Sequence, residues 1–196
     1  MKKIEIIIIL ALLVILGSSL YWWTKDNHVE GGTVGQTTLS PTQIRSIESI
    51  GQWEFLSISD EELIDTTRHG FFGDDQLVRI YYGTLRLGID MRDTKDGWLH
   101  VEKDTVVCTL PTIKLLDNNF IDEAKTKSFY ESGKWTGKDR QAMYTRAYDN
   151  MKRRCLSPTH ISTAENNAIQ QFYNMLKAMG FAQVKVKFEG QGNQEY

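Results

Sequence analysis

Ile6 to Trp23 is a stretch of eighteen residues without a charge, and it sets the first constraint on this chain. As a helix it would span about 27 Å at ~1.5 Å per residue, close to the hydrocarbon thickness of a bilayer. Lys2 and Lys3 precede the run, and Tyr21, Trp22 and Trp23 close it. Paired lysines favour a cytoplasmic N-terminus, and an aromatic trio suits the far interface. The expectation is a transmembrane signal-anchor over residues 1–23, single-pass in the inner membrane, with the C-terminal domain in the periplasm. Gly17-Ser18-Ser19 also suits cleavage of a signal peptide, which leaves the remainder in the same compartment. No cysteine directly follows the run, which argues against a lipoprotein-type anchor.

Residues 24–40 are polar, contain Gly31, Gly32 and Gly35, and show no apolar period. That composition makes a flexible linker. His28 sits in it alone, with no expected role.

From Pro41 the pattern becomes that of a folded α+β domain over residues 41–188. Ser40-Pro41 reads as an N-cap and first helical residue, followed by Ile44, Ile47 and Ile50 and closed by Gly51. QWEFLSIS and ELIDTTRHG read as two short strands, the second broken by Gly70 and the FFGDD turn. From Gln76 the chain is strongly β. Val78, Ile80 and Tyr82 alternate with Arg79 and Tyr81. Further on, Leu85, Leu87, Ile89 and Met91 point one way and Thr84, Arg86, Gly88 and Asp90 the other, with Gly83 as a bulge or bend between the runs. RDTKDG turns the chain, WLHVE returns it, and DTVVCTLP is a strand stopped by Pro111.

The C-terminal third changes period. Tyr144, Ala147, Met151 and Cys155 mark one helix face. Ser157-Pro158 opens a second helix whose face is Ile161, Ala164, Ala168, Phe172, Leu176 and Met179, ended by Gly180. AQVKVKF alternates as a closing strand, and residues 189–196 read as a disordered tail. The expected fold is an antiparallel-rich sheet followed by two helices and a closing strand.

Three features carry a resemblance: the G-x-x-x-x-G-I-D strand at Gly83 to Asp90, the T-L-P end at Thr109 to Pro111, and the A-x-x-N-A helix at Ala164 to Ala168. In this order and spacing they resemble the bacterial family called domain of unknown function 4230, over about Ile44 to Phe188. The resemblance implies an N-terminal membrane segment and a source among Bacteroidota, and it brings no established activity. SFYESGKWTGKDR is the stretch least like that family.

Charge and motifs narrow the chemistry. A formal net charge of −2 supplies no basic field for nucleic acid. There is no CxxC pair for zinc, and no cofactor is expected. Asp90, Asp93 and Asp96 fail the alternate spacing of a calcium loop and read as a turn around Asp96-Gly97. Arg86 and Asp90 share a strand face about 13 Å apart, too far to pair directly, and suit either a polar site or solvated surface charge. His69, His100 and His160 lie on separate segments without metal-ligand spacing. Lys152-Arg153-Arg154 reads as a complement to a helix dipole. Cys108 and Cys155 both fall on apolar faces; an oxidising compartment would permit them to bond, and free buried cysteine is equally ordinary.

Two functional expectations follow. One is a membrane-anchored, extracytoplasmic binding or assembly module with an envelope protein as partner. The other is an envelope hydrolase whose His69, His100 and Asp90 come together only in the fold, which requires them to reach hydrogen-bond distance.

Overall fold

The computed structural model of the protein describes residues 39–190. The expected membrane segment, residues 24–38 of the linker and residues 191–196 of the tail lie outside the described residues.

The chain enters through α1 (Pro41–Glu48). Ser40 accepts from the Gln43 backbone N–H while the Gln43 side chain accepts from the Ser40 N–H, a reciprocal capping box. Gly51 adopts φ +78°, a left-handed turn that a Cβ would strain, and leads straight into β1 (Gln52–Arg68).

β1 and β2 (Asp75–Asp90) form one antiparallel hairpin running from Gln52 opposite Asp90 to Arg68 opposite Asp75. At ~3.3 Å per residue it is roughly 50 Å long. The two short strands expected between 52 and 70 are one. Ser59-Asp60-Glu61-Glu62 contains neither Gly nor Pro, so nothing stops the ladder, and Asp60 and Glu62 find a partner described below.

The bulge also lies elsewhere than expected. β2 pairs through Gly83 without a shift, and the extra residue is Phe55 on β1. β2 therefore keeps a single buried face throughout, with Leu77, Tyr81, Leu85, Leu87 and Ile89 all at 1% exposure or less. Gly83 has another reason to be glycine. A Cβ there would stand 2.8 Å from the Phe120 carbonyl oxygen and 2.9 Å from Met151 Cε. Gly88 is constrained in the same way by the Trp53 carbonyl.

The other side of β2 is lined by β5 (Lys114–Leu115), a bridge from Gly83 to Ile121, and β6 (Lys127–Glu131), elements the sequence pattern does not announce. A second sheet holds β3 (Leu99–Glu102), β4 (Thr105–Leu110) and β7 (Gln183–Phe188), with β7 parallel to β4. The closing strand thus joins this smaller sheet rather than the hairpin.

A parallel pair needs a long crossover. It is made by α2 (Gly137–Cys155) and α3 (Pro158–Ala178). α2 starts four residues before the expected apolar period, at a Thr136–Asp139 capping box. Its buried face is Met143, Ala147, Met151 and Cys155; that of α3 is Ala164, Ala168, Phe172 and Leu176. Phe172 ties the sheets together, its ring 5.0 Å from Trp53, 6.2 Å from Phe55 and 6.4 Å from Trp98.

Candidate functional site

Asp90 sits at the root of the hairpin, almost wholly buried, and caps a short 3-10 turn, Met91–Asp93. Arg92 donates from Nε to Oδ1 at 2.9 Å and from Nη2 to Oδ2 at 2.5 Å, and its backbone N–H donates at 3.0 Å. Gln52 adds a fourth contact at 3.3 Å. These bonds, the Arg92 side chain first, hold the carboxyl well below the usual carboxylate range. Asp90 is thereby a poor proton acceptor and a good pin for the strand end. Lys114 pairs with Asp93 at 2.5 Å and lies 3.7 Å from Asp90 Oδ2. Among the described residues no group of three or more His, Cys, Asp or Glu could hold a metal ion. Arg86 is tied to Glu54 across the ladder at 3.7 Å and to Asp117 at 3.6 Å, which is the surface pairing that its position permits.

His69 lies at the opposite end of the hairpin from Asp90, with Nδ1 2.9 Å from Asp74. His100 stands on β3, its Nδ1 2.8 Å from the Gly97 carbonyl and its Nε2 2.9 Å from Glu102. Both neighbours are acceptors, so the doubly protonated ring suits them best, and the Glu102 bond leads in raising the His100 pKa. The structure does not bring His69, His100 and Asp90 together: the length of the hairpin separates His69 from Asp90, far beyond proton-transfer reach. His160 caps the end of α2 through the Arg154 and Cys155 carbonyls, at 3.1 and 3.2 Å.

Cys108 and Cys155 are both buried free thiols. Burial raises both, Cys155 to about 11 with Asp60 adding to the effect.

The basic run at the end of α2 does more than complement a dipole. Arg154 reaches Glu62 Oε2 at 2.5 Å and Asp60 Oδ2 at 2.8 Å, and it touches the Glu61 carbonyl at 3.3 Å. Asn150 donates to Glu62 at 2.7 Å. Arg146 donates to the Asp65 carbonyl at 3.0 Å and Asn167 to the Phe55 carbonyl at 2.9 Å. Helix side chains thus occupy carbonyls along β1, whose outer edge has no neighbouring strand among the described residues, and this blunts it against further pairing.

The far end of the hairpin is different. Phe71 and Phe72 cap the turn at 95% and 99% exposure, their rings edge to face at 5.1 Å. Leu63 on β1 and Tyr130 on β6, at 56% and 51%, lie on the outer face in rows with Ile80 and Val78, and Phe129 bulges out beside them. Five of the nine large exposed hydrophobic side chains among the described residues gather on this distal third. The sequence pattern marks FFGDD as a turn; the first turn of α2 reaches the last residue of β1, where Arg68 meets Asp139 at 3.2 Å, and the turn bearing Phe71 and Phe72 is left uncovered.

The chain belongs to the family described as a protein of unknown function (DUF4230), whose model matches residues 45–186. No curated protein and no solved structure matches it.

Proposed function

We propose that the protein is a non-catalytic binding or assembly module, anchored in the inner membrane by residues 1–23, that docks a protein of the cell envelope with the distal end of its hairpin. The observation that carries this is the pair Phe71 and Phe72, fully exposed on a turn flanked by glycines. Contiguous exposed aromatics of this kind mark interaction surfaces. Asp74 and Asp75 follow directly, and Asp65 lies near the tip. Asp74 is paired with His69 and Asp75 stands opposite Arg68, so the tip carries no net basic field to draw it to an anionic leaflet, and a protein surface with an apolar pocket suits it better.

A photo-crosslinking side chain placed at Phe71 or Phe72 in cells tests the docking. A discrete high-mass adduct is expected at both positions and not at Tyr173, an exposed aromatic on α3. No adduct at the tip, or equal adducts at Tyr173, would overturn it.

A further inference from the structure

Midway along the outer face of the hairpin, beside Gly83, lies a cleft of about 390 Å³. This is at the lower end of the ~300–1,000 Å³ range of small-molecule sites. Its wall is fixed before any ligand arrives. The Thr84 N–H donates to the Phe120 carbonyl at 3.0 Å and the Asp122 N–H to the Tyr82 carbonyl at 2.8 Å, clamping residues 120–122 along the edge of β2 on either side of Gly83. The Phe120 ring stacks on Tyr148 at 4.7 Å.

Four polar side chains open onto the cleft: Ser59, Tyr82, Thr84 and Asn119. None of the four has a side-chain hydrogen-bond partner among the described residues. The charged groups lining it are already matched. Asp60 is held by Arg154 at 2.8 Å, and Asp122 pairs with Lys125 at 3.4 Å and accepts from the Ala124 N–H at 3.1 Å. A charged ligand would have to break those pairs. A neutral ligand with many hydroxyls would instead meet three hydroxyls, an amide and a partly buried tyrosine side chain.

We propose that this cleft binds a sugar unit of an uncharged glycan, stacked on Tyr82 and hydrogen-bonded by Ser59, Thr84 and Asn119. The site is separate from the aromatic tip and stands whether or not the tip docks a protein.

The test uses the full chain in a zwitterionic detergent, because maltoside headgroups would themselves compete. Chitotriose, maltotriose and mannotriose are titrated by saturation-transfer-difference NMR, with glucose 6-phosphate as the charged comparison. At least one neutral trisaccharide should bind saturably, and Tyr82→Ala should weaken it by about tenfold or more. Asn119→Ala, at an exposed position, should weaken it without changing the circular dichroism, while Phe71→Ser/Phe72→Ser should leave it unchanged. The proposal is overturned if no neutral trisaccharide binds saturably, if Tyr82→Ala and Asn119→Ala both bind as the parent does, or if the sugar phosphate binds more tightly.

Discussion

The carbonyl oxygen of Phe120 lies 2.8 Å from the place a Cβ on Gly83 would occupy, so the segment that bridges to the edge of β2 can close only beside a glycine. Gly83→Ala must push both that backbone and Met151 Cε aside and should cost about 1–3 kcal/mol, the usual range for overpacking. Gly137→Ala, where nothing lies within 4 Å, should stay within about 0.5 kcal/mol of the parent. Urea unfolding of the two variants checks the contrast.

Arg154 joins the last turn of α2 to the middle of β1. Arg154→Met would leave Asp60 and Glu62 facing the helix with their side chains only 22% and 13% exposed and without their counter-charge. Because the guanidinium itself is nearly half exposed, the loss should be about 1–3 kcal/mol rather than the larger cost of breaking a fully buried pair. Adding Glu62→Gln to Arg154→Met should recover part of that loss in a double-mutant cycle.

His100 gives a pH dependence whose sign is fixed. Its pKa is raised in the folded state, chiefly by Glu102 and then by the Gly97 carbonyl. The stabilisation is therefore complete below the unfolded value near 6.5 and is lost as pH rises through the higher folded value. Its side chain is 40% exposed, so the effect should stay below about 1 kcal/mol. NMR titration of the ring should show the raised midpoint, and Glu102→Gln should lower it.

The two cysteines should be silent in the native protein. Both are buried with raised pKa values, so a thiol reagent should find none in the folded state and two after unfolding. Two thiols reacting in the folded state, or none after unfolding, would contradict the structure.

Helix caps and faces were the most legible part of this fold. Ser40-Pro41, Ser157-Pro158 and the stripe through Ala164, Ala168 and Phe172 are local signals, and each stands where the pattern puts it. The hairpin was half legible. Alternation located the strands, but Asp60 and Glu62 look like a break until Arg154, more than ninety residues away, is folded against them. β5 has only two residues and β6 is bulged, so there is little period to read. The candidate surface was the least legible, because the exposure of Phe71 and Phe72 depends on where the cover of the hairpin stops, at the Arg68–Asp139 contact, and no local spacing encodes a contact between residues so far apart. His69, His100 and Asp90 are legible as reactive residue types, yet their separation is a property of the same hairpin.

The most direct test of the docking role is to purify the full chain from its native membranes and compare it with two variants. Phe71→Ser/Phe72→Ser removes the tip without touching the core and should change stability by no more than about 0.5 kcal/mol. Leu156→Ser/Tyr173→Ser removes two partly exposed apolar side chains elsewhere. A stoichiometric envelope protein should accompany the parent and the second variant and be absent from the first. A partner that persists with the tip variant, or the lack of any tip-dependent partner, would contradict the hairpin as the docking surface.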